Sequence, residues 1–433
     1  MATTSLLTDH YELTMLQAAL GSGAAHRKCT FEVFTRRLPA GRRYGVLAGT
    51  GRFLEGLKEF RFTDEELSFL SRRKIVNSET LKFLESFEFS GTVRGYAEGE
   101  IFFPHSPVLQ IEATFAEACI LETYLLSILN YDSAIASAAS RMSAAAGTRP
   151  CIEMGSRRAH ERAAVSAARA AVIAGFSATS NLEAGRRYDL ATLGTSAHAF
   201  TLLHDSEREA FEAQLRSLGA RTTLLVDTYN VDNAVRLAVE LAGEELGGVR
   251  LDSGDLVESA RRVRELLDEL GNTHTKITVT SDLDEYAIAS LAAAPVDAYG
   301  VGTKLVTGSG APTSAMVYKV VERENSAGDM QPVAKASSGK ASIGGAKRAA
   351  RKLNSFGIAT AELLSTEQNP AEIEGTRDLM VEYVRGGQLL DEAFVGADAV
   401  RAAAARHSAS LAELPEAARR LSEGEPVIPT EFI

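Results

Sequence analysis

The chain predicts an α/β fold: an incomplete α/β barrel of parallel strands, together with a second, α+β domain that contains an antiparallel sheet. Three observations carry this. After Pro150, short, mostly apolar runs alternate six times with amphipathic helical runs. Strands apolar on both faces, joined by helices of three or four turns, are the pattern of parallel βα units. Before Pro150 and again after residue 314, β-like runs are short and punctuated by Gly and Pro, which suits antiparallel pairing. Finally, no Gly-x-Gly-x-x-Gly turn follows the first strand of the alternating region, which favours a barrel over an open dinucleotide-binding sheet. On this reading residues 136–314 form the barrel, and residues 1–135 with 315–433 form the α+β domain from both chain ends.

Taken in order, residues 6–22 read as a helix, capped by Thr8 or Asp9 and closed by Gly21, with Leu13, Leu16 and Leu20 on one face. Tyr11 lies in its first turn, where it reads on its own as a surface tyrosine. Residues 29–38 alternate as a strand and 52–88 are helical and charged; Thr92–Tyr96, Glu100–Phe103 and Val108–Glu112 are short strands. Two helices follow, 115–129 and the Ala/Ser-rich 132–146.

The alternating region places strands at Cys151–Met154, Leu190–Leu193, Thr223–Val226, Val249–Leu251, Ile277–Thr280 and Ala298–Val301, with helices over Asn230–Gly243 and Asp255–Leu270. Afterwards come strands at Ala315–Val321, Pro332–Ala336 and Leu379–Tyr383, a basic segment at 339–352, and a helical tail at Val400–His407 and Leu414–Leu421. The C-terminal strands are expected to rejoin the sheet of the first part of the chain.

Bulk properties narrow the function. The 433 residues, 45% hydrophobic and 24% charged, are ordinary for a globular protein of two or three packed units. A formal net charge of −11 argues against a nucleic-acid partner but leaves room for a local anion pocket. No basic-then-apolar leader is visible, and no stretch approaches the roughly 18 apolar residues needed to cross a bilayer; a cytoplasmic protein with no membrane partner is expected. Cys29, Cys119 and Cys151 are sparse and widely spaced, as buried reduced thiols would be.

In a parallel α/β fold, the chemistry sits where strands end. The expected ends carry Gly155-Ser156-Arg157-Arg158, Gly194-Thr195-Ser196-Ala197-His198, Asp227-Thr228-Tyr229, Arg250 with Asp252 and Asp255, Ser281-Asp282, and Gly300-Val301-Gly302-Thr303-Lys304. Each has a bland reading: Asp282 as a helix cap, His198 as a packing histidine, the arginines as surface charges. Together they offer carboxylates suited to Mg²⁺ and sugar hydroxyls, arginines suited to carboxylate or phosphate, and glycine turns that let a phosphate approach backbone amides. Residue types alone therefore indicate a Mg²⁺-assisted enzyme acting on a phosphorylated sugar and a planar or carboxylated partner.

These motifs resemble those of the nicotinate phosphoribosyltransferases, type II phosphoribosyltransferases. The resemblance rests on Thr8-Asp9-His10-Tyr11-Glu12-Leu13-Thr14-Met15, Glu153-Met154-Gly155-Ser156-Arg157-Arg158, residues 175–181, 194–198, 225–229, 248–256 and 300–303, in order over residues 6–360. It implies that nicotinate is joined to 5-phosphoribosyl 1-pyrophosphate to give nicotinate mononucleotide for NAD salvage, with ATP as co-substrate acting through a phosphorylated histidine, matched by His198. Tyr11 matches a tyrosine that stacks on the pyridine, often across a homodimer with shared active sites. Thr195 and Arg250 match nicotinate contacts, Arg157 an arginine of the substrate site, and Gly300, Gly302 and Thr303 the 5-phosphate loop. Asp252 and Asp255 would hold ribose hydroxyls or Mg²⁺.

Two departures stand out. Met154 occupies a place where relatives often have Phe. Ser196 follows the Gly-Thr pair where nicotinamide-using relatives carry an acid, which favours a carboxylate substrate over nicotinamide. The alternatives are a nicotinamide phosphoribosyltransferase, a quinolinate phosphoribosyltransferase, or a sugar-phosphate aldolase or isomerase using Lys304 as a Schiff base; a non-catalytic binding protein fits the charged rim least.

Overall fold

The computed structural model describes residues 3–335 and 342–433. They fall into two compact units, Ala138–Gly310 and the two segments Met1–Ser137 and Ala311–Ile433. The boundary lies within the helix Glu122–Ala146.

The unit Ala138–Gly310 is built on a six-stranded sheet in the order Ala178–Thr179, Cys151–Glu153, Ala298–Val301, Lys276–Ser281, Gly248–Leu251, Thr223–Leu225. Every pairing is parallel, so all six carboxyl ends share one rim. The order is that of a barrel left open between Ala178–Thr179 and Thr223–Leu225. Val249, Leu251, Ile277 and Val279 are fully buried, as strands covered on both faces require.

The connecting helices bury one stripe each. Val231–Ala242 buries Ala234, Val235 and Ala238, and its first turn is capped by the Asn230 side chain on the Asn233 amide at 3.0 Å. Leu256–Glu269 buries Ala260, Val263, Leu266 and Leu267; truncating Leu267 to Ala would cost about 2–5 kcal/mol.

The expected strand Leu190–Leu193 does not form. Its place beside Cys151–Glu153 is taken by the two-residue strand Ala178–Thr179, and only Thr192 reaches the sheet, through a single parallel bridge to Thr179. Leu193 is 51% exposed, so burial supplies no force to extend the pairing. The consequence is an open loop from Leu193 to Ala197 leading into the helix His198–Leu203.

The other unit holds a seven-stranded antiparallel sheet ordered Met330–Pro332, Met316–Glu324, Lys28–Thr35, Leu109–Thr114, Thr92–Tyr96, Met380–Arg385, Gln388–Leu389. Segments from both chain ends interleave here: Met316–Glu324 pairs with Lys28–Thr35, and Met380–Arg385 with Thr92–Tyr96. Phe31 stacks on Tyr318 across that first pairing at 4.6 Å between centroids. A four-stranded sheet adds the last residues, Thr430–Phe432, parallel to Ala359–Ser365.

Three local expectations change in this unit. The first helix, His10–Ser22, is closed by Gly23 in the left-handed region (φ 75°) rather than by Gly21. The pair 115–129 and 132–146 is instead the short helix Phe115–Cys119, with a Thr114/Glu117 capping box, and one long helix, Glu122–Ala146. Nothing at residues 130–131 breaks a helix, because Asn130 uses its side chain to hold the backbone of Met316 (2.8 and 3.2 Å). The tail is one helix, Gly396–Ala412, then a single 3₁₀ turn, Glu416–Arg419. Of the expected strand Pro332–Ala336 only Pro332 lies in one, the short strand Met330–Pro332; Ala336, like residues 339–341 of the basic segment, lies outside the described residues. Cys29, Cys119 and Cys151 are free and buried.

Candidate active site

At the carboxyl rim of the parallel sheet lies a pocket of about 630 Å³. His198, Arg250, Asp252, Arg157, Gly300, Gly302 and Thr303 all line it. Residues from four strand ends and from the loop that leads into His198 thus converge, as the parallel topology requires.

His198 opens the helix His198–Leu203 and is half-buried. Its Nδ1 lies 3.1 Å from Thr228 Oγ1. Its Nε2 stands 3.9 Å from Asp227 Oδ1 and 3.8 Å from Asp252 Oδ2. When Nδ1–H donates to Thr228, the Nε2 lone pair is free beside two carboxylates; that is the tautomer a nucleophilic imidazole needs.

Asp227 follows the strand Thr223–Leu225, and its side chain is only 3% exposed. Its Oδ2 accepts from the Asp252 amide and the Ser253 hydroxyl, both at 2.8 Å, while its Oδ1 is buried without a hydrogen-bond partner. Asp252 in turn accepts from the Thr280 hydroxyl. Three adjacent strand ends are thereby tied together around His198.

Arg250 sits on the strand Gly248–Leu251. One of its terminal nitrogens donates to Thr195 Oγ1 at 3.0 Å, and its Nε is buried with no partner. Burial pushes its pKa below the usual arginine value; nearby Arg157 adds to this, and Asp252 and Asp227 oppose it. A guanidinium still holds its proton under such a shift, so a buried donor faces an anion-sized need. A planar carboxylate satisfies it in two-pronged fashion.

Arg157 and Arg158 come from the 3₁₀ turn Ser156–Arg158 that follows Cys151–Glu153; both are exposed and face the pocket. On the neighbouring strand Ala298–Val301, Gly300 is packed tightly. A Cβ there would fall 2.4 Å from Thr280 Cγ2 and 2.7 Å from Met154 Sδ. Thr303 starts the four-residue helix Thr303–Val306, whose first amides have no intrahelical acceptor.

Several expected site residues lie elsewhere. Asp255 does not line the pocket: its Oδ1 accepts from the amides of Val257 and Glu258 (3.1 Å each), capping Leu256–Glu269. A carboxylate so engaged has less to offer a sugar or metal. Thr195 reaches the pocket only through Arg250. Tyr11 belongs to the other unit, where it is 49% exposed, and burial beside Glu122, Glu12 and Asp9 pushes its hydroxyl up to about 12. Lys304 is not among the lining residues, which leaves a Schiff-base aldolase without its amine.

The sequence placed Asp227 and Asp282 among the rim carboxylates without assigning either a substrate, and gave Thr280 and Glu153 no role; the helix cap expected of Asp282 is Asp284 instead, which accepts from the Tyr286 and Ala287 amides. Asp282 lines the pocket. The available signal was Asp227 itself, a carboxylate placed directly after the apolar run Leu224-Leu225-Val226.

Among the described residues no three His, Cys, Asp or Glu side chains form a metal cage. Mg²⁺ does not need one, since it takes one or two carboxylates and completes its shell with substrate phosphates and water. Asp252 and Asp282, both facing the pocket, provide that donor set.

Fold and pocket define an α/β enzyme that gathers anionic substrates at the carboxyl ends of parallel strands. The nicotinate phosphoribosyltransferase N-terminal domain matches residues 6–130 and the nicotinate phosphoribosyltransferase family matches residues 150–356. The chain belongs to the nicotinate phosphoribosyltransferase family and is an enzyme of that activity, which places it in NAD salvage. It is 55% identical over 438 residues to a nicotinate phosphoribosyltransferase of Mycobacterium tuberculosis, covering 99% of this chain and 95% of that one. It is 40% identical over 362 residues to the Bacillus subtilis nicotinate phosphoribosyltransferase, covering 81% and 73%. The human nicotinic acid phosphoribosyltransferase structure superposes with a TM-score of 0.83 at 25% identity, covering 98% of this chain and 97% of that one. Among the described residues no helix is long and apolar enough to cross a membrane.

Proposed function

We propose that the enzyme couples nicotinate mononucleotide synthesis to ATP hydrolysis through a phosphorylated His198. The observation that carries this is the position of His198 Nε2 at the pocket, between Asp227 and Asp252 and 3.9 and 3.8 Å from their oxygens. Nε2 attacks the γ-phosphorus of ATP and ADP leaves; water later takes the phosphoryl group from the histidine, releasing phosphate. The two carboxylates steady the positive charge that grows on the ring as Nε2 gives up its lone pair.

Transfer itself uses other residues, with Asp252 alone serving both steps. The pyridine nitrogen attacks the anomeric carbon of 5-phosphoribosyl 1-pyrophosphate as that carbon's bond to pyrophosphate breaks, and the leaving group takes the electron pair. No proton moves, so no general base is required. Arg250 holds the nicotinate carboxylate, oriented by Thr195. Arg157 meets the phosphates of the sugar substrate, and the Gly300–Thr303 turn holds its 5-phosphate. Asp252 holds the ribose hydroxyls or Mg²⁺, with Asp282 in the place that Asp255 gives up by capping its helix. Mg²⁺, when bound, neutralises charge building on the leaving pyrophosphate. Much of the remaining acceleration is positioning of two bound reactants.

A homodimer in which Tyr11 of a second copy stacks on the pyridine completes this reading, in the cytoplasm. The exposure of Tyr11 and of Leu182, Leu202 and Leu203 supports a copy-to-copy contact. The deciding experiment measures nicotinate mononucleotide formation with and without ATP, using nicotinate and nicotinamide in parallel. Nicotinate turnover stimulated several-fold by ATP, with nicotinamide left unused, is expected; turnover indifferent to ATP would discard the phosphohistidine.

A further inference from the structure

We infer that Glu153 is a positioning residue for this reaction: its buried carboxylate holds the Gly155–Arg158 turn so that Arg157 and Arg158 face the pocket. The inference rests on the reading that Arg157 meets the phosphates of the sugar substrate.

Glu153 ends the strand Cys151–Glu153 and is fully buried. One carboxylate oxygen accepts from the amide of Gly155, two residues on, at the start of the arginine turn. The other accepts from the hydroxyl of Thr179, the last residue of the neighbouring strand. Thr179 Oγ1 then accepts the Asn181 amide at 2.9 Å, and Asn181 Nδ2 donates to Ser156 Oγ at 3.0 Å. The circuit therefore starts and finishes on the arginine turn. It grips that turn at Gly155 and at Ser156, the two residues directly before Arg157.

The opposite side of the turn is equally confined. A Cβ on Gly155 would fall 2.2 Å from Val306 Cγ1 and 3.1 Å from the carbonyl oxygen of Gly302. So the turn is wedged between the Glu153 circuit and the Gly302–Val306 segment that follows the last strand. A shift in one is transmitted to the other.

A buried carboxylate is expensive unless its oxygens are bonded. Burial raises the Glu153 pKa, and the Thr179 and Gly155 bonds pull it back. A neutral apolar residue would stabilise the strand end without that cost. What it would not do is fix the Gly155 amide and the Thr179 hydroxyl at once, which is the geometry the arginines depend on.

The test measures KM for both substrates and kcat in Glu153→Gln, Thr179→Val, Thr179→Ser and Arg157→Ala, each with its melting temperature. In Glu153→Gln the amide oxygen can still accept one bond, but the amide nitrogen cannot accept the second. The expected result is a KM for 5-phosphoribosyl 1-pyrophosphate raised about tenfold, a misplacement penalty at the low end for catalytic sites, with the nicotinate KM nearly unchanged. Thr179→Val should show the same split, Thr179→Ser should restore it, and the Glu153→Gln/Thr179→Val double variant should be no worse than either single one. Folded variants whose two KM values move together, or not at all, would overturn the inference; if Glu153→Gln does not fold, the Val and Ser variants of Thr179 decide by the same criterion. Arg157→Ala separates the two readings: if it leaves the sugar-phosphate KM untouched, the role given to Arg157 fails, whatever Glu153 does.

Discussion

Asp227 Oδ1 lies 3.9 Å from His198 Nε2 and is buried with no hydrogen-bond partner, while Asp227 Oδ2 is held by the Asp252 amide and the Ser253 hydroxyl. One oxygen thus fixes the carboxylate and the other is left for the imidazole. Asp227→Asn keeps the shape but removes the negative charge that stabilises the developing phospho-imidazolium. We expect ATP-dependent labelling of His198 to slow by about 10²-fold, the lower range for loss of a partner in proton or charge transfer, while the slow ATP-independent transfer persists. Rapid-quench labelling with γ-labelled ATP measures the first, and product formation without ATP the second. Unchanged labelling would reduce Asp227 to a scaffold for Asp252 and Ser253.

Arg250 has a buried Nε without a partner and one terminal nitrogen on Thr195. Removing a charged hydrogen-bond partner costs about 1.5–3 kcal/mol, a factor of roughly ten to a hundred. Arg250→Ala should raise the nicotinate KM by that factor and leave the KM for 5-phosphoribosyl 1-pyrophosphate close to wild type. Arg250→Lys should recover only part of the loss, because a lysine cannot present the two-pronged fork. A larger effect on the sugar phosphate than on nicotinate would move Arg250 to the phosphate side of the pocket.

Much of this site was legible because parallel strands are. The runs at Thr223, Val249, Ile277 and Ala298 are short and mostly apolar, broken by few polar residues such as Arg250 and Thr278, and such runs suit strands covered on both faces. Once they were strands, their charged ends had to share a rim, and His198, Arg250 and Asp252 do share a pocket. Ala178–Thr179 was not legible, since two small residues carry no periodic signal, and the apolar Leu190–Leu193 drew the assignment away from them. The role of Asp227 was not legible either. It depends on which carboxylate oxygen the Asp252 amide occupies, a matter of three-dimensional packing across two strand ends. Asp255 looked like a ligand by its neighbours, yet it precedes a helix, and the free amides of that helix claimed it.

Gly300 and Gly302 read alike in the sequence but differ in the space around them. A Cβ at Gly300 meets Thr280 and Met154 well inside contact distance, whereas at Gly302 the nearest atom is the Met154 carbonyl oxygen at 3.3 Å. Gly300→Ala should therefore destabilise the fold by about 1–3 kcal/mol through overpacking. Because Thr280 also bonds Asp252, it should lower kcat as well. Gly302→Ala meets one backbone oxygen at the edge of contact, so it should lose less stability than Gly300→Ala and show its effect in the KM for 5-phosphoribosyl 1-pyrophosphate. Thermal melts paired with substrate titrations distinguish the two; equal melting temperatures would contradict the packing at Gly300.

His407 gives the unit built from both chain ends a pH dependence of defined sign. It is 4% exposed on the helix Gly396–Ala412, and burial lowers its pKa from 6.5 to about 4, with the nearby Glu100 carboxylate opposing the shift. The folded state thus binds this proton only near pH 4, while the unfolded state takes it up near 6.5. Between those values the unfolded chain holds more protons, so stability falls as pH drops. The contribution is fully present above pH 6.5 and is exhausted near pH 4, on the order of 3 kcal/mol in all at about 1.4 kcal/mol per pKa unit. Glu100 acts in a separate window. Its pKa is lowered from 4.5, chiefly by Arg377 and Arg351 acting against burial, so its stabilisation is present above 4.5 and is lost only below it. Urea unfolding at pH 7 and at pH 5 should then show a loss of up to about 2 kcal/mol in the wild-type protein. In His407→Leu, which fills a similar volume with no proton to bind, that loss should shrink but not vanish, because burial also lowers the pKa of His105, while the acid transition below pH 4.5 remains. An undiminished loss in the variant would assign the pH 5–7 dependence to other groups.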